Sequence, residues 1–133
     1  MATEANQLWV ERKMAKILIV DDSPFARTRL KQLFESNGHE VVGLAEDGAQ
    51  AFALFKSLRP EIVTLDYLLG EVNGDEVLKE IIQFDPDARV IMLSGSDDSS
   101  IKERSLKDGA KAFVEKFNLQ RDVLKALDQV MEM

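Results

Sequence analysis

The sequence predicts a three-layer α/β domain in which five parallel strands form one sheet flanked by five helices. Short apolar runs alternate along the chain with segments of helical periodicity. The connections between them are short and carry helix caps or breakers. A chain of 133 residues, 45% of them hydrophobic, has the size of one such domain and can bury its core.

Five segments are predicted to be strands because each is a short apolar run bounded by turn residues or polar groups. Runs of this kind are typical of strands that are buried on both faces of a parallel sheet. The predicted strands are Lys16–Val20, Glu40–Leu44, Glu61–Leu65, Arg89–Leu93 and Lys111–Glu115.

The segments between and after the strands are predicted to be helices. The first begins at Ser23, which can cap it, and Pro24 suits its first position. Asn37-Gly38 ends it. The other helices are predicted over residues 49–57, 75–84, from Asp97 or Asp98 to about 108, and around 123–131.

Composition and charge exclude several classes of function. Lys and Arg number 17 against 24 Asp and Glu, and a net charge of -7 argues against a nucleic-acid surface. The chain has no cysteine, which excludes disulfides, thiolate metal sites and a cysteine nucleophile. No signal peptide or membrane-spanning run is recognisable, so we expect a cytoplasmic protein without a membrane partner.

Residues 1–14 stand outside the alternation, and the domain is therefore placed at residues 15–133. The first segment is interpreted as a frayed tail. The alternative is an added helix whose Trp9 docks on the domain or on a partner.

Polar side chains follow four of the predicted strands. Asp21 and Asp22 follow the first strand, Asp66 the third, Ser94 the fourth and Lys116 the fifth. The carboxyl ends of parallel strands meet at one edge, where open α/β sheets bind their ligands. Asp66 and Ser94 could also serve as ordinary caps, but their coincidence at one edge predicts a site.

Three carboxylates in one crevice repel each other, at about 4 kcal/mol for two unit charges 4 Å apart at an effective dielectric near 20. Such a group binds protons or a cation, and oxygen ligands suit Mg²⁺. With Lys116 as a charge partner and Ser94 as a hydrogen-bond donor, the edge would hold a phosphoryl group. Asp66 would then be the nucleophile that forms an aspartyl phosphate.

From about Lys16 to Met131 the chain resembles a response-regulator receiver domain of bacterial two-component signalling, of the CheY-like, chemotaxis type. Five motifs in order carry the resemblance: Asp21-Asp22, Asp66 before a loop that ends in Gly74, Ser94-Gly95, Phe113, and Lys116 three residues later. The resemblance implies a doubly wound, flavodoxin-like fold with strand order 2-1-3-4-5.

The resemblance also implies roles for these residues. Asp66 corresponds to the phospho-acceptor, and Asp21, Asp22, Asp66 and the backbone carbonyl of Leu68 correspond to the Mg²⁺ ligands. Ser94 and Lys116 are expected to sense the phosphoryl group.

Phe113 is expected to be the switch aromatic that turns inward when Ser94 moves toward the phosphate, although a plain core role is the alternative. The donor would be a phosphohistidine on a histidine kinase or phosphotransfer protein. The output would be contact with a target protein through the fourth helix, fifth strand and fifth helix. No enzymatic activity is expected beyond the domain's own phosphorylation and dephosphorylation.

The sequence departs from the family at two positions. Phe117 and Gly70 stand where proline is usual. A cis bond before a non-proline residue costs about 2.5–4 kcal/mol, so the loop after Lys116 is expected to differ in shape. Leu68 occupies a variable position, and an apolar side chain there predicts slow self-dephosphorylation.

Alternatives to a stand-alone chemotaxis-type receiver are a phosphorelay intermediate, a receiver excised from a longer protein, and a phosphorylation-independent interaction module. A haloacid-dehalogenase-type phosphatase also uses an aspartyl nucleophile, but it requires a second aspartate where Leu68 stands. The single histidine, His39, is expected to lie on the surface.

Overall fold

The computed structural model describes residues 14–96 and 98–133. The strands are β1 (Lys16–Val20), β2 (Glu40–Ala45), β3 (Ile62–Asp66), β4 (Leu68–Leu69), β5 (Val72–Asn73), β6 (Val90–Ser94) and β7 (Ala112–Glu115). The helices are α1 (Pro24–Ser36), α2 (Gly48–Leu58), α3 (Gly74–Phe84), α4 (Ser99–Lys107) and α5 (Leu119–Met131). The predictions for residues 1–13, including Trp9, lie outside the described residues.

One parallel sheet has the strand order β2-β1-β3-β6-β7. Its five strands correspond to the five predicted ones, so the predicted 2-1-3-4-5 order and the fold class are confirmed. β4 and β5 form a small antiparallel hairpin after Asp66 that the sequence did not predict. A 3₁₀ turn over Lys116–Asn118, directly after β7, was not predicted either.

The core consists of two apolar layers, one on each face of the sheet. Alternate residues of the central strands point to opposite faces because side chains in a strand have a period of two. On one face Leu18, Val63 and Met92 pack with residues of α2 and α3. On the other face Ile19 and Leu93 pack with α1 and α5. Burial on both faces explains why the strands are continuous apolar runs.

The helix boundaries follow local signals in the sequence. The Ser23 hydroxyl accepts a hydrogen bond from the Ala26 amide, and Pro24 lies at the start of α1. Asp98 caps α4 by accepting from the Ser100 amide. None of the helices in the described ranges is long and apolar enough to span a bilayer.

The prediction that His39 lies on the surface is wrong. His39 is 7% exposed, and its Nδ1 accepts a hydrogen bond from the Ala15 amide at 3.0 Å. Its ring meets Phe34 edge-on, with 6.5 Å between the ring centroids. The turn after α1 brings the histidine over the start of β1, and this distant contact leaves no periodic signal in the sequence.

Gly74 packs against the backbone that carries the end of β3. Its amide donates to the carbonyl of Tyr67 at 2.5 Å. A Cβ atom at this position would lie 3.0 Å from the Cα of Tyr67 and would clash with the carbonyl oxygen of Asp66. Because backbone atoms cannot rotate away, the first turn of α3 approaches Asp66 this closely only with glycine.

We expect Gly74→Ala to lower the free energy of unfolding by about 1–3 kcal/mol, as overpacking against fixed atoms does. Urea denaturation followed by circular dichroism measures the change. Gly95→Ala is the matched control, since a Cβ there meets nothing within 4 Å, and its effect should stay within about 0.5 kcal/mol. Equal free energies of unfolding for Gly74→Ala and Gly95→Ala would contradict the close contact between Gly74 and the backbone of Asp66.

Candidate functional site

Three carboxylates converge at the carboxyl edge of the sheet. Asp66 is the last residue of β3 and Asp21 directly follows β1; they are 6% and 1% exposed. Asp22, the next residue, is exposed. One carboxylate oxygen from each lies within 4.8 Å of the others. The structure therefore brings together the three acids that the strand ends predicted.

The acidic loop after β1 is held by the start of α1. The amide of Ser23 donates to Asp21 Oδ1 at 2.9 Å. Arg27 Nη1 donates to the carbonyl oxygen of Asp21 at 2.7 Å, and its Nη2 lies 3.9 Å from Glu46. The sequence analysis did not identify Arg27, whose position one turn into α1 directs it back to the loop.

Lys116 connects two of the three acids. Its Nζ donates to Asp21 Oδ2 at 3.0 Å and lies 3.1 Å from Asp66 Oδ2. Burial lowers the pKa of Lys116, but the hydrogen bond to Asp21 and the charges of Asp66 and Asp21 outweigh it, so the pKa is raised. The ammonium group is thus a permanent cation of the site at neutral pH.

The environment of Asp66 shifts the pKa of its carboxyl group. Burial raises its pKa, the charge of Lys116 opposes this, and the charge of Asp21 raises it further, to about 6. The amide of Leu68 adds a long hydrogen bond of 3.4 Å to Asp66 Oδ1. At neutral pH the carboxylate is therefore ionised, but it is held in an environment that favours an added cation.

Ser94 lies on β6, the strand beside β3, and Phe113 lies on β7, the edge strand beyond β6. Ser94 ends β6, is 2% exposed, and its Oγ accepts the amide of Ser96 at 3.1 Å. Leu93, its neighbour, pairs with Asp66 across the sheet. Phe113 pairs with Met92 from β7 and is half-buried against the apolar layer that includes α2 and α3. Ser94 therefore lies at the predicted edge, where its hydroxyl accepts a hydrogen bond from its own loop, whereas Phe113 lies two residues before the end of β7.

The unusual positions of the sequence lie at the rim of the site. Leu68 belongs to β4 and is 61% exposed. Phe117 follows Lys116 in the 3₁₀ turn and is 90% exposed. Peptide bonds within the described ranges are all trans. The loop after Lys116 thus turns by 3₁₀ geometry.

The donor set fits a hard divalent cation. Carboxylate oxygens without sulfur or imidazole are the ligands that Mg²⁺ prefers, and the exposed Asp22 leaves one side open to water. A bound cation would offset the repulsion among the three carboxylates, which Lys116 balances only in part. The arrangement can therefore hold a metal ion beside a buried, ionised carboxylate.

Sequence comparisons agree with this geometry. Residues 17–128 match the family model of the response regulator receiver domain. The chemotaxis protein CheY of Bacillus subtilis is 42% identical over 117 residues, which cover 87% of this chain and 97% of that protein. The chemotaxis protein CheY of Thermotoga maritima is 38% identical over 115 residues, covering 86% and 96%.

Solved structures share the fold. In the crystal structure of the CheX–CheY–BeF₃–Mg²⁺ complex from Borrelia burgdorferi, the similar chain is 36% identical, with a TM-score of 0.83. The match covers 87% of this chain and 88% of that chain. With a family match over most of its length and relatives near 40% identity, this chain belongs to the response regulator receiver domain family of two-component signalling.

Proposed function

We propose that the chain is a phospho-receiver that accepts a phosphoryl group on Asp66 from a phosphohistidine of a histidine kinase or phosphotransfer protein. One observation carries the proposal. Asp66 is a buried carboxylate in contact with a lysine and grouped with two further acids at the end of a parallel strand. A structural aspartate would be satisfied by a loop cap and would not need these neighbours.

The chain's own residues supply position and charge for the transfer. A carboxylate oxygen of Asp66 attacks phosphorus, the bond to the donor's imidazole nitrogen breaks, and an acyl phosphate remains on Asp66. Lys116 Nζ, 3.1 Å from Asp66 Oδ2, is placed to neutralise charge on the phosphoryl oxygens. Phosphoryl transfer requires mainly such positioning and charge stabilisation.

Asp21, Asp22, Asp66 and the carbonyl of Leu68 would hold Mg²⁺. When bound, Mg²⁺ supplies positive charge that stabilises phosphoryl oxygens. The grouped carboxylate oxygens support the three aspartates as ligands, and the Mg²⁺ named in the complex of the Borrelia burgdorferi relative supports the identity of the ion.

Ser94, released from the Ser96 amide, would donate to the new phosphoryl group, and Phe113 would turn inward behind it. This is a local charge change that biases a two-state element. Output would be contact of the face of α4, β7 and α5 with a target protein. A cavity of about 370 Å³ between Lys102, Phe113 and Lys125 lies on this face, and the CheX–CheY complex of a relative supports contact with a protein partner.

Intact-mass spectrometry after incubation with acetyl phosphate tests the acceptor. Wild type with Mg²⁺ should gain one phosphoryl adduct, whereas Asp66→Asn and wild type with EDTA should gain none, because the nucleophile or the cation is missing. Asp85→Asn, at the half-buried end of α3, is the matched carboxylate control and should be modified like wild type. No adduct, even with a phosphorylated kinase, would favour the phosphorylation-independent interaction module.

The pKa of Asp66 predicts the direction of a pH effect on stability. A carboxyl whose pKa rises from 3.8 to about 6 on folding makes the native state bind the proton more tightly. Proton binding by Asp66 therefore stabilises the folded state fully below the pKa of the unfolded chain. This stabilisation is lost as the pH rises through the pKa of the folded protein. In EDTA, Asp66→Asn should therefore be more stable than wild type at about pH 7.5.

The difference in free energy of unfolding between Asp66→Asn and wild type should decrease by about 1 kcal/mol when the pH is lowered to about 5. Urea denaturation of both proteins at each pH measures it. Asp98→Asn is the control, because Asp98 is fully exposed and its pKa is lowered by hydrogen bonds with Ser100. A stability gap between wild type and Asp66→Asn that is the same at both pH values would contradict the assignment.

Leu68 predicts the lifetime of the phosphorylated state. Its side chain is 61% exposed beside Asp66 and cannot orient an attacking water. We expect Leu68→Asn to lose the phosphoryl group several-fold faster, because a carboxamide can hydrogen-bond the water. The decay of the phosphorylated mass after removal of donor measures the rate. Val72→Asn, on the paired strand β5, should decay like wild type; a slower decay of Leu68→Asn would contradict the role.

A further inference from the structure

Tyr67, the residue after Asp66, connects three elements to the end of β3. Its amide donates to the carbonyl of Leu93 in β6 at 2.8 Å, and its carbonyl accepts the amide of Gly74 at the start of α3. Its hydroxyl accepts a hydrogen bond from Arg104 Nη2, in α4, at 2.8 Å. The side chain is buried, with 8% of the residue exposed. A displacement of Tyr67 would therefore move the backbone directly next to Asp66.

Arg104 also contacts the start of α3. Its Nε lies 3.7 Å from Asp75 Oδ2, and the side chain of Asp75 is 15% exposed. The other oxygen, Asp75 Oδ1, is buried without a hydrogen-bond partner in the described part of the chain. Arg104 is thus the cation that compensates a largely buried carboxylate, which restricts where its guanidinium group can lie.

Helix α4 has few apolar contacts of its own. Of its nine residues, Ser105 is the one that is buried, and its hydroxyl lacks a hydrogen-bond partner among the described residues. Ile101 is half-buried against the core. A second ion pair, between Lys79 Nζ and Asp108 Oδ2 at 3.9 Å, joins α3 to the end of α4. Polar contacts therefore contribute much of what positions this helix.

The position of α4 is coupled to the β6 edge because only residues 95–98 separate Ser94 from the helix. If Ser94 moves toward a phosphoryl group on Asp66, the start of α4 is drawn along with it. The 2.8 Å hydrogen bond between Arg104 and Tyr67 does not survive a shift of an ångström or more without rearrangement. The contact therefore opposes the movement.

We propose that Arg104 and Tyr67 form a positioning contact that holds α4 against the acceptor strand in the unphosphorylated domain and thereby slows phosphorylation of Asp66. The inference rests on the proposed function of Asp66 and adds a restraint to it. A contact made in one of two states stabilises that state only, so its removal shifts the equilibrium toward the other.

Two variants test the contact. Tyr67→Phe removes the hydroxyl and keeps the ring, and Arg104→Met removes both polar contacts while keeping an unbranched apolar side chain. Each should be phosphorylated by acetyl phosphate and Mg²⁺ roughly three- to tenfold faster than wild type, the range expected for the net loss of one ordinary hydrogen bond. The double variant should be no faster than Arg104→Met, because both changes break the same bond.

Amide hydrogen exchange of the unphosphorylated proteins provides a readout that does not depend on Asp66 chemistry. In both variants the amides of α4 should exchange several-fold faster than in wild type, while those of β1 and β3 should be unchanged. Unchanged α4 exchange and an unchanged or slower rate of phosphorylation would overturn the proposal. Failure of wild type itself to gain the adduct would instead refute the proposed function, and exchange would still report on the contact.

Lys79→Met is the matched control, since it breaks the other ion pair between α3 and α4 without touching Tyr67. It should leave the rate of phosphorylation within about twofold of wild type. Equal acceleration by Lys79→Met would show that any loosening of α4 has this effect, and would overturn a specific role for the contact between Arg104 and Tyr67.

Discussion

The contact of one ammonium group with two carboxylates is the interaction on which the site depends. Asp21 and Asp66 are both almost fully buried, and their carboxylates have oxygens within 4.8 Å of each other. Two negative charges at this distance repel strongly in a medium of low dielectric. Lys116, 3.0 Å from one and 3.1 Å from the other, offsets that repulsion in part. It comes from the far end of the chain, so the site is complete only when β7 has joined the sheet.

The charge balance is incomplete, and the remaining negative charge favours the binding of a cation. A fully neutralised Asp66 would have a low pKa and little need of a cation, whereas its pKa is raised to about 6. Such a carboxylate destabilises the folded domain at neutral pH and keeps the site receptive to positive charge. Proteins commonly retain this kind of strain at functional sites because the surrounding core compensates for it.

Much of this arrangement was predictable because it depends on where strands end. In a parallel sheet the carboxyl ends share an edge, so Asp21, Asp66 and Lys116 could be placed together without knowing any side-chain contact. The five strands were equally clear, since burial on both faces makes each an apolar run. The hairpin after Asp66 was missed because two strands of two residues each are too short to show a period.

Contacts between side chains on different elements were not predictable. The contact of His39 with the Ala15 amide depends on how the turn after α1 lies over β1, and an isolated histidine in a polar turn gives no sign of it. The same holds for Tyr67 and Arg104, which are 37 residues apart and meet only because α4 packs beside α3. Sequence patterns report the period of an element, not the rotation and offset of one helix against the next.

The contrast between β3 and α4 indicates how a change of charge at the sheet edge can alter the surface of the domain. The end of β3 is held by backbone hydrogen bonds to β6 and α3 and by the close approach of Gly74, so it has little freedom to move. Among the five helices of the described ranges, α4 is the one that buries no apolar residue fully. A helix positioned largely by polar contacts can change place at little loss of apolar burial, and α4 is therefore more easily displaced than the rigid end of β3.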